Sequence, residues 1–239
     1  MNNLFSDTKE AFSLKSNFEL NRAFFLFKII GNSTFVKLST SLTNFALKFH
    51  LPVTPIIKAT VFDHFCGGVS EEDCIPVINK MFKKNVYSVL DFSTEGFNSE
   101  KEFDDCLRKK TSIIEFAKNR KEIPFAVFKP TCLGSTDLFK KVSKFEKLNE
   151  LENDSWNRVI QRFDKVCSKA FKQNIKILID AEEVEVQNAI DELAIKMMRK
   201  YNLTSPIVYN TVQMYRKDRL SYLGEMISNQ LNDGVIFGL

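Results

Sequence analysis

Residues 175–201 (IKILIDAEEVEVQNAIDELAIKMMRKY) join a short apolar run to a long amphipathic segment, and this pair decides the fold class. The run at residues 175–180 has the length and β-branched content of a buried strand. The segment after it repeats apolar residues every three or four positions, among them Val186, Ile190 and Leu193, which is typical of a helix with one buried face. A strand followed directly by a helix is the unit from which parallel sheets are built.

The same unit recurs along most of the chain. Strands are predicted at residues 87–92, 124–129, 175–180, 206–213 and 234–239, with amphipathic segments between them. Such alternation fits either an open doubly wound sheet or part of a barrel. Because no G-x-G-x-x-G follows any strand, the dinucleotide-binding open sheet is disfavoured. A (β/α)₈ barrel has eight strands, so we expect a barrel truncated within the fifth strand.

The predicted helix boundaries rest on capping residues. Ser99 and Glu102 form a capping box that opens one long helix. A charged loop is expected at residues 144–154, and Asp154 or Ser155 is expected to cap the helix after it.

The region before the first strand is predicted to be helical, with a break at residues 31–33. We therefore expect an N-terminal helical arm at residues 1–60 and an incomplete barrel at residues 61–239.

Composition excludes several classes of protein. The net charge of +4 is too small for the dense basic face of a nucleic-acid-binding protein. Five dispersed cysteines and two histidines do not form a disulfide framework or a metal site. Lys and Arg outnumber Asp and Glu seven to three in residues 1–60, a balance that favours peripheral contact with an anionic membrane surface. No signal peptide or spanning segment is visible, so a cytoplasmic location is expected.

Polar residues follow the apolar runs at four places. Asp91 follows YSVL, Lys129 follows PFAVF, Asp180 follows IKILI and Gln213 follows PIVYNTV. Barrel enzymes place their catalytic groups at this end of the strands, so the four residues predict one pocket with a cation, two carboxylates and an amide.

Each of these residues also has a structural interpretation. Asp91 could cap the next helix or bind loop amides. Asp180 could cap the helix that begins near Val184, and Gln213 could belong to a structural hydrogen-bond network. Lys129 precedes a proline and is therefore held in an extended conformation.

Five segments together resemble the monofunctional, mitochondrial-type proline dehydrogenases. They are FDHFCGG at residues 62–68, SVLDFSTEG at 88–96, FAVFKPTCLG at 125–134, LIDAEE at 178–183 and YNTVQMYRKD at 209–218. The resemblance implies a distorted (β/α)₈ TIM-like barrel, preceded by N-terminal helices, that forms the catalytic domain and holds FAD. It also implies oxidation of L-proline to Δ1-pyrroline-5-carboxylate by hydride transfer to the flavin, with electrons passed to a membrane quinone, as the first step of proline degradation to glutamate.

The resemblance also assigns roles to residues. It implies that Lys129 binds the proline carboxylate and that Asp180 is the acidic residue of the active-site shell. Gln213 matches the amide that hydrogen-bonds the flavin ring, and Asp91 and Tyr215 are further members of the site. In a eukaryote the location would be the matrix side of the inner mitochondrial membrane. The family's later segments, with most dinucleotide contacts and paired arginines for the carboxylate, are not in this sequence.

Two alternatives remain open at the level of sequence. Lys129 could form a Schiff base, as in lysine-dependent aldolases. The chain could also be an inactive fragment.

Overall fold

The computed structural model describes residues 6–92 and 96–239. Its internal contacts divide the chain into two compact units, Met1–Val86 and Tyr87–Leu239. The sequence predicts a boundary after residue 60, between a helical arm and a barrel. A division by internal contacts does not test that boundary, which stays a prediction.

The described part of the first unit contains helices joined by turns, and no strand. Its helices are α1 (Thr8–Ala11), α2 (Asn17–Ile30), α3 (Ser33–Lys48), α4 (Thr54–Ile57), α5 (Asp63–Phe65) and α6 (Glu71–Phe82), with a π-helical turn at Lys58–Phe62. The predicted break lies where Gly31 ends α2 and Asn32 caps α3. The Asn32 side chain accepts hydrogen bonds from the N–H groups of Thr34 and Phe35, which would otherwise lack partners.

None of the helices in the described residues is both long and apolar enough to cross a membrane.

The second unit is a parallel sheet with helices between its strands. The strands are β1 (Val89–Leu90), β2 (Phe125–Phe128), β3 (Lys176–Ile179) and β4 (Val208–Asn210). The helices are α7 (Glu100–Ala117), α8 (Thr136–Ser143), α9 (Glu150–Gln173), α10 (Val184–Tyr201) and α11 (Arg219–Asp233). The strands lie in the order β1-β2-β3-β4, and every pair is parallel. The mixed α/β class with a parallel sheet is therefore confirmed.

One face of the sheet forms the core. Ala126 and Phe128 of β2 and Ile177 and Ile179 of β3 are buried, whereas the alternate positions are partly exposed. This period of two follows from the strand pleat. Phe128 packs against Phe163 of α9 edge to face, with ring centroids 5.1 Å apart, so α9 packs on this face of the sheet.

Helix α9 begins earlier than the sequence predicts. Its cap is Asn149, not Asp154 or Ser155, and a capping box with Glu152 satisfies the first turn. The sequence prediction relied on the apolar repeat, which begins only at Trp156. It therefore extended the charged loop through residue 154, which is wrong. The first turn of α9 is held by its cap and not by packing.

Residues 234–239 are not a strand, so the prediction of a fifth strand is wrong for the described residues. The side chain of Asn202 accepts from the N–H of Val208 and donates to its carbonyl, on the edge of β4 that a fifth strand would use. Asn202 also donates to the carbonyl of Ile236. One main-chain bond, from the N–H of Asn210 to the carbonyl of Gly238, joins the segment to the end of β4. The side-chain amide of Asn202 thus occupies the main-chain groups of Val208 that would otherwise bond to a fifth strand.

Candidate active site at the strand-end edge

Lys129 and Asp180 lie next to each other at the carboxyl-terminal edge of the sheet. Phe128 and Ile179 pair in the parallel register, so the residues that follow them leave neighbouring strands together. The N–H of Asp180 donates to the carbonyl of Phe128 over 3.1 Å, which extends the ladder to this point. Both Lys129 and Asp180 are half-buried. Asp180 does not cap α10, because the residue at that cap is Glu183.

Asp91 lies at the end of β1 and has a buried partner. The ammonium of Lys110, on α7, donates to Oδ1 of Asp91 over 2.6 Å and to the carbonyl of Phe92 over 3.1 Å. Lys110 is 2% exposed, so the ion pair neutralises an ammonium charge that is buried away from water. Asp91 is therefore the counter-ion of Lys110, and the cap of α7 is Ser99. The place of Asp91 in the site shell stays a prediction.

Sequence reasoning did not identify Lys110. A signal was available, since Lys110 lies three or four residues from Leu107 and Ile114 on the buried stripe of α7. A lysine at such a position needs a buried acceptor.

Glu182, which sequence reasoning also missed, ties the loop after β3 to the loop after β2. Its carboxylate accepts from the N–H of Thr131 over 2.8 Å and from the Thr131 hydroxyl over 2.6 Å. Burial raises the pKa of Glu182, while the two Thr131 bonds and the charge of Lys129 act in the opposite direction. The second acid of the AEE sequence was the signal in the chain, but its partner lies 51 residues away.

Gln213 lies in the turn after β4 and is half-buried. Its Nε2 donates to the carbonyl of Glu182 over 3.1 Å, and its Oε1 accepts from Nη1 of Arg216 over 3.5 Å. Gln213 is thereby anchored beside the loop after β3. Tyr215, two residues further on, is 82% exposed, and its membership of the site stays a prediction.

A buried polar network joins α10 to the end of β4 and the start of α11. Asp191 of α10 accepts from the side chains of Gln187, Asn210 and Arg219, over 2.8, 2.9 and 2.5 Å. All four side chains are buried, so the network is rigid and was not visible in the sequence. Oδ1 of Asn210 is buried and has no hydrogen-bond partner.

The described residues contain no cluster of His, Cys, Asp and Glu that could hold a metal ion. The edge instead offers a cation beside a carboxylate, with an anchored amide on the neighbouring loop. Groups of this kind can bind a small zwitterion and hydrogen-bond a polar ring.

Comparison with known proteins gives one family. The family model for proline dehydrogenase matches residues 74–239. The carbapenem antibiotics biosynthesis protein CarD of Pectobacterium carotovorum subsp. carotovorum is 30% identical over 175 residues, which cover 73% of this chain and 46% of that protein. The probable mitochondrial proline dehydrogenase of Schizosaccharomyces pombe is 22% identical over 274 residues, which cover 94% of this chain and 55% of that protein. The chain thus spans about half the length of the curated relatives it matches.

A solved structure shares the fold. Proline utilization A (PutA) from Bdellovibrio bacteriovorus, inactivated by N-propargylglycine, superposes with a TM-score of 0.61 at 19% identity, over 77% of this chain and 20% of that one.

Proposed function

Since the chain belongs to the proline dehydrogenase family, we propose that it serves the oxidation of L-proline to Δ1-pyrroline-5-carboxylate, the first step of proline degradation to glutamate. The observation that carries this proposal is the placement of Lys129 beside Asp180 at the carboxyl-terminal edge of a parallel sheet. Parallel α/β folds collect their ligands at this edge.

The barrel is part of the proposal. A doubly wound sheet reverses its strand order at a switch point, whereas a barrel adds each new strand to the same edge. The order β1-β2-β3-β4 runs without a reversal, which supports a distorted (β/α)₈ barrel. The four strands of the described residues would be four of its eight strands.

Lys129 would bind the carboxylate of proline. A half-buried ammonium attracts an anion more strongly than an exposed one, because less water screens the charge. Asp180, on the next strand, would orient that ammonium and keep the local charge close to neutral before the substrate arrives.

The residues at this edge fit the ring of a flavin. The side-chain amide of Gln213 has one donor and one acceptor group, as the polar edge of the ring does, and its anchor on Glu182 fixes its direction. FAD bound there would accept the hydride from C5 of proline. Gln213 would orient the ring, and Lys129 would orient the substrate over it.

A membrane quinone would take the electrons onward. The basic balance of residues 1–60 favours peripheral contact with an anionic membrane surface, from the cytoplasm or, in a eukaryote, from the matrix side of the inner membrane.

The test uses the protein purified as its gene encodes it. We expect a visible flavin spectrum that bleaches when proline is added without oxygen, reduction of a quinone analogue, and a preference for proline over hydroxyproline. N-propargylglycine, which inactivated the solved PutA, should inactivate this protein too. Borohydride trapping of a substrate amine on Lys129 without any flavin would favour the Schiff-base alternative. A protein that neither bleaches nor traps substrate would favour the inactive fragment.

A further inference from the structure

We propose that Glu182 is a positioning residue of this site, one that fixes Lys129 and Gln213 relative to each other. The inference rests on the proposed function for the roles of those two residues. It assigns to Glu182 a task that neither of them can perform alone, because each lies on a different loop of the strand-end edge.

The link from Glu182 to Lys129 is short and stiff. Thr131 gives both its N–H and its hydroxyl to the carboxylate of Glu182, one to each oxygen. Only Pro130 separates Thr131 from Lys129, and a proline ring fixes the φ angle at that position. The N–H of Cys132 donates to the carbonyl of Lys129, which closes the 3₁₀ turn Pro130–Leu133. Holding Thr131 therefore holds the main chain of Lys129.

The link from Glu182 to Gln213 runs through the main chain. The carbonyl of Glu182 accepts from Nε2 of Gln213, and the N–H of Glu182 donates to Oε1 of Gln187. Gln187 is buried and bonded to Asp191, so the main chain of Glu182 rests on a rigid base. One residue thus joins the loops after β2, β3 and β4.

The charges around Glu182 suit positioning and not proton transfer. Both carboxylate oxygens are engaged by Thr131. The charged neighbours are Lys129, which favours the ionised carboxyl, and Glu183, which disfavours it. A hydrogen bond with Cys106 and burial raise the pKa of the Cys132 thiol, and the nearby charge of Glu182 adds to them.

The first experiment separates positioning from general stability. Thr131→Val removes the hydrogen bond from the Thr131 hydroxyl to the Glu182 carboxylate, and Thr131→Ser retains it. Glu183→Gln is the matched control, since it removes the neighbouring exposed charge and no hydrogen bond to Thr131. In the natural holoenzyme we expect Thr131→Val and Glu182→Ala each to raise the KM for proline about tenfold, with kcat changing by less than about threefold, because a charge-assisted bond is lost. Thr131→Ser and Glu183→Gln should leave KM unchanged.

The second experiment does not depend on turnover. Lysines are methylated with ¹³C, which keeps their charge, and the Lys129 signal is assigned with Lys129→Arg. The signal should follow the titration of Glu182 above pH 4.5, the ordinary value for this carboxyl. Glu182→Gln should abolish that transition, and Glu183→Gln should retain it.

The outcomes separate the two proposals. If the transition is present but proline is not oxidised, the proposed function fails and the positioning contact stands. If proline is oxidised, and neither the KM nor the Lys129 signal responds to changes at Glu182 and Thr131, the positioning role is overturned.

Discussion

At the scale of single residues, Lys129 offers the most direct test of the site. We expect Lys129→Ala to weaken proline binding by about 2–5 kcal/mol, because the substrate carboxylate would enter a half-buried site short of a partner. The measurement is the KM for proline and, without turnover, the proline concentration that perturbs the flavin spectrum. Lys121→Ala is the control, since that lysine is exposed. An unchanged KM would place Lys129 outside the carboxylate pocket.

Glu182 gives a second residue-scale prediction, with a sign opposite to that of most carboxyls. Burial raises its pKa in the folded protein above the ordinary 4.5. Folding therefore favours the protonated form, so the contribution of Glu182 to stability is complete below pH 4.5 and is lost as pH rises through the folded pKa. Glu182→Gln should flatten the decline of the unfolding free energy on this side, as measured by urea unfolding at successive pH values.

Glu102 provides the comparison with the opposite sign. Its hydrogen bonds with Ser99 and Asn98 lower its pKa, so its contribution is present above the ordinary 4.5 and is lost as pH falls. Glu102→Gln should flatten the acid side only. If both variants flattened the same side, the assignment of burial as the dominant effect at Glu182 would be wrong.

At the scale of elements, the start of α9 distinguishes the structure from the sequence pattern. Asn149→Ala should cost about 0.5–2 kcal/mol of unfolding free energy, because it removes the cap from a long helix. Asp154→Ala, at the position that the sequence predicted as the cap, should stay within about 0.5 kcal/mol, since this side chain is exposed. Denaturant unfolding of the two variants measures both values. A larger loss from Asp154→Ala would mean that α9 begins where the sequence pattern suggested.

The elements also show how far sequence reasoning reaches. The two residues of the capping box, Ser99 and Glu102, lie only three positions apart, so the sequence pattern reveals both. The strand ends at Lys129 and Asp180 were visible because an apolar run stops there. These features depend on neighbours along the chain, and sequence patterns report such neighbours well.

The missed features have distant partners. Glu182 meets Thr131 across 51 residues, and Lys110 meets Asp91 across 19. Asn202 blocks the edge of β4 through a side-chain amide that no strand pattern reveals. Such pairs come together only when the chain folds, so a propensity argument from one sequence cannot identify them.

At the scale of the whole molecule, the two units differ in their cores. Among the described residues up to 86, the buried apolar side chains are Leu26, Ala46 and Ile78, whereas Tyr87–Leu239 contains many more. Local opening is easiest where few apolar contacts are buried. We therefore expect amide hydrogens of α2 and α3 to exchange faster than those of α9 and α10, as measured by mass spectrometry. Equal protection in the two units would contradict this.

The same difference predicts self-association of the chain through its first unit. Helices α2 and α3 present large apolar side chains that are each more than half exposed: Phe18, Phe24, Phe25, Phe27, Leu38, Leu42 and Phe45. Soluble monomers rarely leave so much apolar surface in water. The purified 239-residue chain should therefore form larger species as its concentration rises, as measured by light scattering.

Salt and substitution identify the force behind this association. Apolar contacts persist or strengthen in sulfate, whereas attraction between surface charges is screened. We expect the association to survive added sulfate and to weaken in the double variant Phe24→Ser with Leu42→Ser. Leu203→Ser is the matched control, because Leu203 is 64% exposed but belongs to the second unit. If salt dispersed the larger species, or if Leu203→Ser had the same effect as the double variant, the apolar surface of α2 and α3 would not be their cause.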